Sequence, residues 1–301
     1  MSRSSPLPFT PLVIIGAGRS GTNILRDTLC RLDGFASWDC DEINPVWRHG
    51  NLFADHDEFG PAEARPPVRR FIRGAFQKAW KRLDRPRYLV EKTCANSLRV
   101  PFIEAVLPEA RYLFIVRDGV DVVASAQKRW RGEMEIASLP YYWAKARNTP
   151  LRDLPIYGWR FLSARASMLS GRRAHMASWG PRFRGMDARA ETASLDELCA
   201  EQWARCVEAS DAAFAGMDAA KVIRIRYEDM TAEPETAVRD ILAFLNEDRP
   251  AKAVASAAAP VSRTSVGKGR AAMTGDTDSL MTIMAPMLDR LGYSTRLKDA
   301  A

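Results

Sequence analysis

Leu12-Val-Ile-Ile15 runs straight into Gly16-Ala-Gly18-Arg-Ser-Gly-Thr22, after which Ile24, Leu25, Leu29 and Leu32 recur at helical spacing. A short continuous apolar run, a glycine loop and an apolar stripe spell strand, turn and helix. Glycines let the main chain turn tightly and approach an anion closely. The N–H groups that open the next helix point at that anion, and the helix dipole favours its charge. The spacing Gly16-x4-Gly21 copies the start of a Walker A loop, but Thr22 stands where its lysine belongs. Gly16, Gly18 and Gly21 also fit the dinucleotide fingerprint, a pattern that specifies little by itself.

The same grammar returns along the chain. Tyr88-Leu-Val-Glu91 precedes an apolar-periodic stretch from Leu98 to Leu107, and Tyr112-Leu-Phe-Ile-Val116 leads through Arg117-Asp-Gly119 into a helix over Val120–Trp130. Val222-Ile-Arg-Ile-Arg226 precedes a helix from Pro234 to Leu245, with proline tolerated at a first helical position. Apolar strands alternating with helices predict an α/β fold, a mainly parallel central sheet flanked by helices. Ligands of such sheets bind beyond the carboxyl ends of the strands, where the glycine loop and Arg117 both fall. Arg117 closes a buried strand, so its charge needs an anion or solvent at that edge. Asp118 suits a helix cap, and Ser125 lies eight residues beyond Arg117, about two turns into the helix.

Composition sets the wider bounds. At about 150 residues per domain, the 301 residues allow one large domain or two modest ones. Apolar residues at 47% and charged ones at 27% are globular values, which argue against collagen, coiled coil, disorder and a membrane bundle. Lys and Arg number 44 against 37 Asp and Glu, a net charge of +7, and 35 of the 44 are Arg. The planar fork of Arg suits phosphate, sulfate and carboxylate; a GC-rich genome enriches Arg too, so both origins stay open. Cys30, Cys40, Cys94, Cys199 and Cys206 contain no C-x-x-C and lie too far apart for a zinc knuckle, so no metal site and a reduced, cytoplasmic setting are expected. Residues 1–15 lack the features of a signal peptide, and no apolar run approaches the ~20 residues of a membrane span.

Two segments break the strand–helix pattern. Residues 44–87 carry nine basic residues between Arg65 and Arg87 and read as a loop followed by a basic helix, while residues 131–190 are rich in aromatics and Arg. Neither reads as a linker. A single domain over 1–301 is therefore expected, with insertions at 44–87 and 131–190 on the acceptor side of the site.

Three motifs together resemble a known family. Gly18-Arg-Ser-Gly-Thr22, the pair Arg117 and Ser125 eight residues apart, and Arg226-Tyr-Glu-Asp-Met230 look like the sulfotransferases that use 3′-phosphoadenosine 5′-phosphosulfate (PAPS), over about Leu12 to Arg270. The resemblance implies a P-loop-NTPase-like fold with helical insertions. It implies that Gly18, Arg19, Ser20, Gly21, Thr22 and Asn23 cradle the 5′-phosphosulfate, with Arg19 at the sulfuryl or bridging oxygens. Lys92, in Glu91-Lys-Thr93, matches a lysine that contacts the transferring group. Arg117 and Ser125 match the 3′-phosphate pair, and Tyr227 matches the residue that packs by the adenine. Ser265-Val-Gly-Lys-Gly-Arg270 resembles the late glycine and basic segment over the 3′-phosphate, with Lys268, Gly269 and Arg270 as its contacts. No metal is required.

The general base marks a departure from the cytosolic branch of that family. Cytosolic members carry a His two residues after the matching lysine; here Cys94 stands there, and His49, His56 and His175 fall in no motif. Tyrosylprotein and some carbohydrate sulfotransferases carry a Glu shortly after the second strand, a placement that Cys40-Asp-Glu-Ile-Asn44 fits. Glu42 is the expected base, with Asp41 as the alternative, and a half-buried cleft can raise such a carboxylate's pKa. The expected acceptor is a hydroxyl on a saccharide or glycolipid, with a phenol second, because Trp38, Trp47, Trp130, Trp143 and Trp159 with interspersed Arg suit such groups. Two other classes remain: a P-loop small-molecule kinase using ATP and Mg, and a non-enzymatic binder of nucleic acid or another polyanion. The missing Walker lysine argues against the first, and the dispersal of basic residues outside 65–87 argues against the second.

Overall fold

The computed structural model describes residues 6–130, 153, 180–272 and 277–295. Its five-stranded sheet is parallel throughout, in the order β2-β3-β1-β4-β5. The strands are β1 (Thr10–Ile15), β2 (Phe35–Ser37), β3 (Tyr88–Lys92), β4 (Arg111–Val116) and β5 (Val222–Arg226). Ile14 pairs with Lys92 of β3 and Ile15 with Phe114 of β4, so the carboxyl ends of the three central strands come together. The glycine loop, Lys92 and Arg117 therefore share one edge of the sheet.

Neighbouring residues of a strand face opposite sides of the sheet, which sorts the β1 run into two cores. Val13 and Ile15 join Trp47, Phe76, Phe102 and Trp203 on one face. Leu12 and Ile14 join Leu25, Leu29, Ile241 and Leu242 on the other. Each such side chain contributes about 1.5–3 kcal/mol when fully buried, which is why Leu12 to Ile15 form a continuous apolar run on β1. The observed parallel sheet flanked by helices is the α/β fold expected.

The helices are α1 (Thr22–Leu29), α2 (Asn44–Trp47), α3 (Pro66–Arg82), α4 (Val100–Val106), α5 (Gly119–Trp130), α6 (Met186–Thr192), α7 (Leu195–Ala215), α8 (Tyr227–Ala232), α9 (Pro234–Phe244), α10 (Ala251–Ala258), α11 (Lys268–Ala272) and α12 (Asp278–Arg290). Asp118 caps α5, with its carboxylate accepting from the Val120 N–H at 2.9 Å. Gly119 is obligatory because a Cβ there would lie 2.9 Å from the buried Trp203 ring. Among the described residues, no helix is long and apolar enough to cross a membrane.

The 44–87 segment is the expected loop and basic helix, but the run from Arg65 to Arg87 is largely engaged within the protein. Arg73 pairs with Glu109 at 2.7 Å, Arg82 with Asp39 at 3.0 Å and Arg87 with Glu247 at 2.7 Å. Arg69 donates to the Ala64 carbonyl at 2.6 Å. Most of the 131–190 segment, with Trp143 and Trp159, lies outside the described residues.

Candidate active site

The glycine loop joins β1 to α1 through two left-handed residues, Arg19 at φ 73° and Gly21 at φ 90°. Gly21 is needed twice over, because a Cβ there would also stand 2.3 Å from Cδ2 of Tyr227. Gly21 is the N-cap of α1 and supplies no side-chain acceptor, so the first-turn N–H groups from Thr22 onward open the helix without a cap. An uncapped helix start behind a glycine turn suits an anion.

Arg19 is held over this turn from two sides. Its Nε donates to Ser125 Oγ at 2.9 Å, and its carbonyl accepts from Arg117 Nη1 at 3.0 Å. Burial, then Arg129 and Arg117, lower the Arg19 pKa, so the guanidinium sits at a desolvated and positive spot that an anion would relieve. Ser125 thus serves Arg19 in this structure. Arg117 is drawn to Asp121, at 3.3 Å, and to the Ser265 carbonyl, at 2.7 Å. Arg117 is 6% exposed, and its Nε is buried without a hydrogen-bond partner among the described residues. A buried orphan donor on a cation is a place for an acceptor.

Tyr227 forms the floor beneath the loop. It is 1% exposed, carries the Arg117 guanidinium 4.4 Å over its ring, and shares a 2.6 Å hydrogen bond with Ser265. The ring is enclosed by Gly21 and Arg117, a supporting place rather than an open face for a base. The late segment lies on α5. Gly269 N donates to Asp121 at 2.6 Å, Arg270 pairs with Asp118 at 2.5 Å, and Lys268 is exposed.

The third group centres on Lys92, at the end of β3. Its buried Nζ donates to Asp41 Oδ1 at 3.0 Å and to Glu42 Oε1 at 3.2 Å. Burial opposes the lysine charge, but Glu42 and Asp41 outweigh it and hold the pKa above the ordinary value. Asp41 also accepts from Arg26 at 2.8 Å; burial works against its charge too, yet Lys92 and Arg26 hold it below the usual carboxylate range. The raised value that a half-buried cleft can give is therefore not found at Asp41. Glu42 accepts additionally from Cys94 N at 3.2 Å. Thr22 Oγ1 lies 3.8 Å from Cys94 Sγ, so the glycine loop adjoins the strand end that carries the carboxylate pair. Cys94 is a thiol there, because burial and Glu42 push its pKa up.

Sequence reasoning did not single out Arg26, Asp121 or Ser265. Arg26 is one turn from Thr22 on α1, and Asp121 stands four residues from Arg117, the spacing of a helical ion pair. Ser265 carried no such signal, since its contacts to Arg117 and Tyr227 span loops far apart in sequence. Among the described residues, no group of His, Cys, Asp and Glu side chains could hold a metal ion.

Residues 11–149 and 163–250 match the sulfotransferase family. The chain belongs to that family. A search of curated proteins returns no match. Among solved structures, the sulfotransferase domain from the curacin biosynthetic pathway shares 14% identity at TM-score 0.56, over 96% of this chain and 99% of that one. The sulfotransferase domain of the Synechococcus PCC 7002 olefin synthase is as similar, at 14% identity and TM-score 0.56, over 98% of each chain. A sulfotransferase from Alicyclobacillus acidocaldarius shares 17% identity at TM-score 0.51, over 95% of each chain. At such identities the likeness is one of fold, and it places the glycine loop within a P-loop-like sulfotransferase architecture.

Proposed function

We propose that this sulfotransferase moves the sulfuryl group of PAPS to an acceptor hydroxyl, releasing adenosine 3′,5′-bisphosphate. The observation that carries this reading is the meeting of an uncapped helix start, the Arg19 and Arg117 pair and the Lys92–Glu42 pair at one edge of the sheet. Gly18 to Asn23 would hold the 5′-phosphosulfate, and Arg117 with its orphan Nε would meet the 3′-phosphate. Ser125 orients Arg19.

Sulfuryl transfer, like phosphoryl transfer, needs in-line geometry and neutralised charge on the equatorial oxygens of a loose transition state. Arg19 supplies positive charge from the glycine loop and Lys92 from the end of β3. Glu42 takes the proton of the acceptor hydroxyl as its oxygen bonds to sulfur and the bond from sulfur to the phosphate oxygen breaks. Glu42 suits the task better than Asp41, whose carboxylate is tied to both Arg26 and Lys92 and kept weakly basic. The chemistry needs no metal.

The acceptor we propose is a hydroxyl on a saccharide or glycolipid, with a phenol second; of the tryptophans behind that expectation, Trp38 and Trp47 pack in the core against Phe76 and are no open face. We read the chain as one domain over 1–301, with 44–87 and 131–190 on the acceptor side. We place the protein in the cytoplasm, where thiols are kept reduced. Turnover of radiolabelled PAPS with a panel of saccharides, glycolipids and phenols tests the function. Transfer should occur with the wild type and fall by about 10²–10³ in Arg19→Ala. A folded Arg19→Ala protein that transfers at the wild-type rate contradicts the mechanism.

A further inference from the structure

Gly267, at φ 75°, and Lys268 turn the main chain so that the N–H groups of Gly267 and Gly269 converge. Convergent N–H groups of this kind form an anion-binding concavity. The anion in it belongs to the protein: Asp121 Oδ2 accepts from Gly267 N at 2.8 Å and Oδ1 from Gly269 N at 2.6 Å. Asp121 is 3% exposed and also receives Arg117 Nη2 at 3.3 Å. The approach leaves no slack, since a Cβ on Gly269 would stand 2.6 Å from both Asp121 Cα and Val120 O. Arg117 then ties the segment again through the Ser265 carbonyl at 2.7 Å, and the Ser265 hydroxyl meets Tyr227. Two chain regions distant in sequence are thus fastened at one buried carboxylate, and Tyr227 joins them through Ser265.

We propose that Asp121 is a positioning residue for the nucleotide: it latches the 265–270 segment onto α5 and so sets how strongly the site prefers a nucleotide bearing a 3′-phosphate. This inference rests on the PAPS reading above. Gly269 N and Arg270 are committed to Asp121 and Asp118, so they anchor the segment instead of grasping phosphate directly. The latch fixes the main chain on both sides of the exposed Lys268, and the same carboxylate holds Arg117, whose buried Nε has no hydrogen-bond partner among the described residues. Buried carboxylates that accept main-chain N–H bonds fix loops firmly, because leaving those donors unpaired is costly.

The test is calorimetry of adenosine 3′,5′-bisphosphate beside adenosine 5′-monophosphate, on the wild type, Asp121→Ala and Gly269→Ala. Thermal unfolding of each protein checks that it is folded. Gly269→Ala displaces the segment sterically without removing a charge, so it stands in should Asp121→Ala fail to fold. The wild type should prefer the bisphosphate, and both variants should lose about tenfold or more of that preference while binding the monophosphate as the wild type does. A purely structural defect would weaken both ligands alike and overturns the proposal. Tighter bisphosphate binding by Asp121→Ala makes the carboxylate a rival of phosphate and also overturns it. A preference retained in both variants overturns the latch alone, whereas a wild type without preference overturns the PAPS reading and the latch with it.

Discussion

Glu91 shows how one residue can shape a site that it does not line. It is wholly buried, and its carboxylate accepts from the Thr93 hydroxyl at 2.5 Å and from Asn96 at 2.7 Å. With its proton given to Glu91, Thr93 Oγ1 accepts the N–H of Ile43 at 3.2 Å, which fixes the chain immediately after Glu42. Burial pushes the Glu91 pKa up to about 7, against an ordinary 4.5. The folded protein therefore binds a proton that the unfolded chain releases between those values. Stability falls as pH rises across that window, by at most about 1.4 kcal/mol per pH unit from this group. Urea unfolding of the wild type and Glu91→Gln from pH 4.5 to 8 checks this, and the difference between the two proteins should grow with pH and level off above about 7. At the same scale, Glu42→Gln should lower turnover by about 10²–10⁴, the usual worth of a positioned base, with little change in affinity for adenosine 3′,5′-bisphosphate. Steady-state kinetics beside calorimetry would show both effects.

At the scale of elements, the glycine loop tolerates little. Gly21→Ala adds a left-handed strain of order 1–3 kcal/mol to a collision with the Tyr227 ring. It should lower the melting temperature and weaken nucleotide binding together, as thermal unfolding with and without adenosine 3′,5′-bisphosphate will report. The elements differ in how legible they were in the sequence. β1, β3 and β4 are apolar runs ended by glycine or charge and β5 alternates isoleucine with arginine, and each was readable within two residues of its observed bounds. β2 was missed because Phe35-Ala-Ser37 is three residues long at the sheet edge, too short for any periodicity to register. The resemblance drew attention to Ser125, but its partner in the fold was not readable. Arg19 reaches it across 106 residues, through a left-handed turn that the sequence does not announce. The Asp121 latch escaped for the same reason, since its N–H donors lie 146 and 148 residues away.

Across the whole molecule, the surplus of +7 charges divides into unlike parts. A few cations, Arg19, Arg117 and Lys92 foremost, converge at the carboxyl edge of the central strands. Many others are spent inside the fold, as Arg48 is on Asp57 and Arg73 on Glu109. This distribution suits one small, multiply charged anion better than a long polyanion, whose binding would fall steeply with salt. The most direct measurement is calorimetry of the purified protein with adenosine 3′,5′-bisphosphate beside ATP, without added metal. Binding of the bisphosphate well in excess of ATP, weakened in Arg117→Ala, is the expected result; tight binding of ATP alone would contradict the assignment of this site to PAPS.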